Sequence, residues 1–307
     1  MASNENWGEA TSGLEVARVF SDQIRGKNVV ITGVAPDGIG ESTSIAIASQ
    51  KPSVLILASR TKERMTAVAE KIEASYPGVK VRVVVLDLAS QASIRNAGLK
   101  TAELVPKVDL LINNAGIFVM QSRQLTKEGL EIQFGANHIG HFLFTKFLLP
   151  LLKAGAKDSA PGATRIINLS SQGHRLSPIR FSDYNMEGKQ VPAEEAPASP
   201  MPPAFGRRMP DGYLPVIAYG QCKTANVLFS LSLQQRLKPF GITSYAVHPG
   251  GIHTQLGRDE DDEHRAAIAK GISYWKSLDE GSSTTLVAAL DPKLNGTYAE
   301  LPFAPCG

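Results

Sequence analysis

The sequence predicts an α/β fold, a doubly wound parallel sheet of about seven strands in one domain with helices on both faces. From residue 27 onward, short β-branched runs alternate with longer amphipathic stretches, the pattern of a parallel sheet covered on both sides. The first run, Asn28–Thr32, passes through glycines into a helical stretch. The chain has 307 residues, 43% hydrophobic and 20% charged, enough to bury a large core.

The expected strands are Asn28–Thr32, Val54–Ala58, Val81–Leu86, Val108–Ile112, Arg165–Leu169, Thr243–Val247 and a short last one near Gly296–Ala299. Helices are expected near 40–50, 62–75, 90–104, 125–153, 218–238 and 280–290, preceded by an N-terminal helical extension within residues 1–24, running from Leu14 to Ile24 and packed outside the sheet. The main domain takes up residues 25–307. Its rhythm breaks once, over 174–217, where eight prolines (178, 192, 197, 200, 202, 203, 210 and 215) interrupt both periods. That stretch reads as a substrate-lid insertion, partly ordered through Phe181, Tyr184, Met186, Met201, Phe205, Met209 and Tyr213.

A net charge of +3 without a basic block argues against a nucleic-acid partner. The acidic run Asp259–Glu263 reads as a solvated loop leading into a helix. Cys222 and Cys306 form no metal or redox pair, and no apolar stretch is long enough for a signal peptide or a membrane span. The expected setting is cytoplasmic, with no metal. The abrupt end at Pro305-Cys306-Gly307 reads as a truncated form.

"TGVAPDGIG" places Gly33, Gly38, Ile39 and Gly40 where a strand enters a helix, with Pro36-Asp37 bulging outward as an extra residue. Such a turn lets a dinucleotide pyrophosphate approach the free N–H groups of the helix. The second strand ends in Ser59-Arg60, where an acid would select NAD. A hydroxyl and a guanidinium suit a 2′-phosphate, so NADP is favoured over NAD, with Asp37 as the one acidic feature against it. "NNAG" at 113–116 ends the fourth strand, and "NLSS" at 168–171 ends the fifth. Tyr219 and Lys223 stand four apart on one helix face, and "HPGGIHT" follows at 248–254. His138 and His141 read as surface or packing residues, and Cys222 as a small buried hydrophobe.

In this order, these motifs resemble the short-chain dehydrogenase/reductase family over about residues 25–300, and the stretch "RIINLSS…AYGQCKTANVLF…SYAVHPG" is similar to its retinol-dehydrogenase-like branch and fungal relatives. The resemblance implies one Rossmann domain and a catalytic tetrad of Asn137, Ser171, Tyr219 and Lys223. It also implies cofactor contacts at Asp87 and Leu88 (adenine), at Asn114, Ala115 and Gly116 (along the dinucleotide), and at Pro249, Gly250, Ile252 and Thr254 (nicotinamide end). Tyr219 would be the acid/base, its pKa lowered by Lys223, which would also bind the nicotinamide ribose. Ser171 would hold the substrate oxygen, and Asn137 a water linking Lys223 to solvent. Ser171 is chosen over Ser170 because neighbouring strand residues point to opposite faces and the family places its serine second.

The expected activity is NADP(H)-dependent reduction of a ketone or aldehyde, or the reverse alcohol oxidation, on a small-molecule substrate. His174 and Tyr213 are the candidate substrate contacts. The long helices at 125–153 and 218–238 resemble the family's dimer helices, which points to a homodimer or homotetramer. Two alternatives keep the scaffold: imine reduction or cyclisation in specialised (secondary) metabolism, and a nucleotide-binding regulator without turnover. Two departures from the family pattern stand out, the extra residue in the glycine loop and the 48 positions between Ser171 and Tyr219.

Overall fold

The computed structural model describes residues 3–295. After helix α1 (Gly13–Val19) come β1 (Asn28–Thr32), α2 (Ile39–Ala48), β2 (Val54–Ser59), α3 (Lys62–Ser75), β3 (Val81–Val85), α4 (Gln91–Leu104) and β4 (Leu110–Asn113). A short helix α5 (Ile132–Phe134) then runs through a π turn (Gly135–Ile139) into α6 (Gly140–Lys157), followed by β5 (Thr164–Leu169), α7 (Pro215–Leu237) and β6 (Ile242–Val247). The described chain closes with β7 (Gly251–Ile252), α8 (Asp262–Ala269), β8 (Trp275–Lys276) and α9 (Leu278–Leu290).

Six strands form one parallel sheet in the order β3-β2-β1-β4-β5-β6. The seventh expected strand, near Gly296–Ala299, lies outside the described residues, as does Cys306. Alternate residues of each strand feed two cores. Val29, Ile31, Leu55 and Leu57 pack with α1, α2, α3 and α9, whereas Val30, Ile56, Leu111 and Ile166 pack with α4, α6 and α7. Burial on both faces explains why these strands are apolar throughout. The strand order reverses between β1 and β4, which opens a crevice beyond their carboxyl ends, the usual ligand position in such a sheet.

Three expected boundaries shift. The helix expected over 125–153 begins only at Ile132, because Leu125 and Glu131 form an antiparallel bridge around Gly129, whose φ is +78°. Glu131 then caps the new helix, its carboxylate accepting from the N–H groups of Gln133 (2.9 Å) and Phe134 (2.7 Å). The N-terminal helix stops at Val19 and gives way to a 3-10 turn at Ser21–Gln23. The insertion ends earlier than expected, because Pro215 occupies the first turn of α7, where its missing N–H costs nothing.

The insertion is irregular apart from short 3-10 turns. Met186 and Tyr213 are buried in it, as expected; Phe181 is exposed and does not anchor it, whereas Tyr184, partly exposed, still packs on Phe134 of α5 at 6.2 Å. Polar groups fasten the rest. The Arg180 N–H donates to Gln221 Oε1 on α7 at 3.0 Å, and the Ser182 N–H donates to Glu195 Oε2 at 2.9 Å.

Candidate active site

The crevice holds the glycine loop. Gly33 has a φ of +73°, and a Cβ there would lie 2.5 Å from the Cα of Ala115, so only glycine lets β1 close onto the loop after β4. A Cβ on Gly40 would meet Gly33 O at 2.6 Å and Asn114 Nδ2 at 2.8 Å. Gly38 precedes α2 with no side chain capping the helix, so its N-terminal N–H groups face the cradle these glycines leave. The extra residue is absorbed at Asp37, which is exposed, has a φ of +60° and donates its N–H to Glu41 Oε2 at 2.9 Å. Ser59 ends β2 beside this loop, where the Gly33 N–H donates to Ala58 O at 2.8 Å, and Arg60 follows as an exposed side chain.

Asn114 ties β4 to β1 through Nδ2, which donates to Thr32 O at 2.8 Å. The Ala115 N–H donates to Thr32 Oγ1 at 3.0 Å, and Thr32 in turn meets His141 Nε2 at 2.9 Å. His141 Nδ1 lies 3.0 Å from Asn137 O, an atom that can only accept, so the ring carries its proton on Nδ1 and receives the Thr32 hydroxyl at Nε2. Burial lowers the His141 pKa to about 4, which keeps the ring neutral as this relay requires. His141 therefore positions the π turn that carries Asn137, and the sequence offered only its four-residue spacing as a signal.

Asn137 is fully buried, and its amide pairs with the Ile117 backbone in both directions, at 2.7 and 2.9 Å. A Cβ on Gly116 would lie 3.7 Å from Lys223 Nζ and 3.8 Å from Asn137 Oδ1, so Gly116, Asn137 and Lys223 converge across this cradle. Lys223 Nζ donates to Leu169 O at 3.1 Å and stands 5.2 Å from the centre of the Tyr219 ring. Burial lowers its pKa to about 8.

Ser171 forms a hydrogen bond with Tyr219 and accepts from the Gly173 N–H at 3.1 Å. Ser170 is buried instead and donates to Lys223 O at 2.9 Å, so of the two serines only Ser171 meets the phenol. The phenol pKa is raised, mainly by burial; the bond to Ser171 opposes the rise. This differs from the expectation that Lys223 pulls the free phenol down: burial raises it and the Ser171 bond is what opposes the rise.

Other expected contacts divide. Asp87 is half-buried at the end of β3, its N–H donating to Ser93 Oγ at 2.9 Å and its own Oδ1 accepting from the Ala89 N–H. Leu88 packs against the α4/α6 core, and its carbonyl lies under Gly140. Pro249 leads into Gly250, with a φ of +99°; Ile252 backs onto Gly281, and Thr254 caps the next turn by accepting from the Leu256 N–H. His174 sits beside Ser171, with Nδ1 2.6 Å from Ser171 O. Tyr213 does not reach the site. It is 1% exposed, and its hydroxyl donates to Glu131 Oε1 and accepts from Gln133 Nε2, both at 2.7 Å, which makes it an anchor of the insertion rather than a substrate contact. His138 pairs with Asn226, and Cys222 is buried on Ala218 O, both in packing roles as expected. No helix among the described residues is long and apolar enough to cross a membrane.

A family model described as short chain dehydrogenase matches residues 27–186. The oxidoreductase fscI of Fusarium equiseti is 37% identical over 243 residues, covering 78% of this chain and 93% of that protein. Human retinol dehydrogenase 13 is 40% identical over 235 residues, covering 76% of this chain and 62% of that protein. Among solved structures, the Pseudomonas aeruginosa RhlG/NADP active-site complex superposes with a TM-score of 0.63 at 21% identity, over 88% of this chain and 91% of that one. The NADPH-bound carbonyl reductase from chicken fatty liver does so with a TM-score of 0.59 at 21% identity, over 89% and 95%. These two show the fold. On these matches the chain belongs to the short-chain dehydrogenase family, as an oxidoreductase of its retinol-dehydrogenase-like branch.

Proposed function

We propose that the protein is an NADP(H)-dependent carbonyl reductase, running in reverse as an alcohol dehydrogenase, with Tyr219 as its acid/base. The observation that carries this reading is the half-buried Tyr219 phenol, hydrogen-bonded to Ser171, with Lys223 Nζ over its ring. Residues 33–40 would hold the pyrophosphate, Ser59 and Arg60 the 2′-phosphate, Asp87 and Leu88 the adenine pocket. Asn114 to Gly116, Lys223, Pro249, Gly250, Ile252 and Thr254 would line the path to the nicotinamide end. When bound, the nicotinamide supplies or takes up the hydride.

Ser171 donates to the carbonyl oxygen, and Tyr219 delivers the proton to that oxygen as negative charge develops on it. A phenol kept neutral by burial is the form that reduction needs. Lys223, as an ammonium, stabilises the phenolate left behind, and Asn137 fixes the floor beneath both through its pairing with Ile117. The insertion at 174–214 acts as the lid that excludes water from this step, and His174 at its root is a candidate substrate neighbour.

The reading is tested by following NADPH oxidation with a panel of aldehydes and ketones, and then by Arg60→Glu. We expect NADPH to exceed NADH at least tenfold in kcat/KM for the cofactor, and Arg60→Glu to erase that margin. An unchanged ratio would remove Arg60 from the site. The wild-type enzyme should also lose kcat/KM for NADPH as pH rises through about 8, because burial has lowered the Lys223 pKa and its charge is present only below that value. A flat profile from pH 7 to 9 would mean that Lys223 does not capture the cofactor as an ammonium.

A further inference from the structure

The substrate side of Tyr219 is built from distant segments. Phe118, from the loop after β4, meets the Tyr219 ring edge-on at 5.2 Å between centres. His264, on α8, stacks on Phe118 with ring centres 5.3 Å apart and meets Phe205 of the insertion at the same distance. Met120, Val216 and Leu256 complete an apolar wall. The insertion is clasped onto α8 by Arg207, which pairs with Asp261 and with Glu263 (3.6 Å), so the acidic run is partly a fastening rather than a solvated loop.

One atom in this wall is unsatisfied. His264 is 3% exposed, yet its Nδ1 has no hydrogen-bond partner. Its Nε2 faces Glu260 Oε1 at 3.9 Å. A carboxylate beside Nε2 favours the proton there, which leaves Nδ1 as a bare acceptor. Burial lowers the His264 pKa, so the ring is neutral and retains that lone pair. An acceptor buried among aromatic rings without a donor costs free energy, and a ligand that brings a donor recovers it.

We propose that His264 recognises substrate, and that the preferred substrate is an aromatic carbonyl compound carrying a hydroxyl one ring's width from the reacting carbonyl. The aryl body lies against Phe118 and Phe205, and the hydroxyl donates to His264 Nδ1. This rests on the carbonyl-reductase reading of the same site. It adds a polar specificity contact that separates hydroxylated from capped aryl substrates.

The test compares a butanone bearing a para-hydroxyphenyl group with the same ketone as its methyl ether, which keeps the shape and removes the donor. Turnover is followed by NADPH oxidation, and binding by calorimetry on the NADP-loaded protein. We expect wild type to favour the phenol about tenfold in both kcat/KM and affinity, the size of one buried hydrogen bond. His264→Phe, which keeps the ring stack, should bring the ratio to within about twofold. His264→Asn, whose carbonyl oxygen stands near the place of Nδ1, should restore part of it. Melting curves confirm that both variants fold. Turnover of both ketones without preference overturns the role of His264 and leaves the reductase reading intact. A binding preference without any turnover overturns the reductase reading and supports His264. Failure of both ketones to bind, or a preference that survives in His264→Phe, overturns the inference.

Discussion

Replacing Tyr219 by Phe is expected to lower kcat/KM for carbonyl reduction by about 10²–10⁴-fold, the usual contribution of a positioned general acid. The substitution removes one oxygen. The ring keeps its edge contact with Phe118 and its packing beneath Gly173, so the melting temperature should move little. NADPH affinity should stay within about threefold, because Asn114, Arg60 and the glycine loop directly follow β4, β2 and β1 and do not lie on α7. Ser171 would still hold the substrate oxygen, so a residual rate is expected rather than none. Steady-state NADPH oxidation together with a fluorescence titration of NADPH separates the two effects. Activity surviving at near wild-type level would mean that another group supplies the proton.

Gly40→Val should abolish useful cofactor binding. The added Cβ would come within 2.6 Å of Gly33 O, which is backbone, and 2.8 Å of Asn114 Nδ2, a side-chain end tied to β1. Either the loop moves away from β4 or Asn114 gives up its 2.8 Å bond to Thr32 O. Overpacking of this kind costs about 1–3 kcal/mol in stability. The loss in NADPH affinity should be at least about 100-fold, near 2.7 kcal/mol. Gly271→Ala is the matched control, since a Cβ there meets only Ile268 O at 3.5 Å on an exposed turn. NADPH binding by Gly40→Val within threefold of wild type would show that this loop does not hold the pyrophosphate.

Much of the site was legible because it is local. Gly33, Gly38 and Gly40 fall within one strand–turn–helix unit, and Tyr219 and Lys223 are one helical turn apart on α7. The choice of Ser171 over Ser170 needed only strand alternation and the family order, and the structure separates the two by their partners. The start of the helix expected over 125–153 was misplaced because what delays it is the bridge from Leu125 to Glu131, with Glu131 turned into a cap. Tyr213 looked like a substrate contact because it is an aromatic residue in an irregular segment. Its role is set by Glu131 and Gln133, which lie eighty residues or so earlier in the chain.

By itself, the sequence determined the strand and helix rhythm, the glycine loop with its extra residue at Asp37, and the Tyr219–Lys223 pair, because each depends on backbone period or on neighbours within one turn. Tertiary structure decided the rest. It brought Asn137 and Lys223 close to Gly116 and desolvated the Tyr219 phenol, which raises its pKa. It also stacked His264 on Phe118 above Tyr219, and turned part of an acidic run into a clasp for Arg207. These outcomes rest on contacts between segments far apart in the chain and on the desolvation those contacts impose, and neither quantity is written in local spacing.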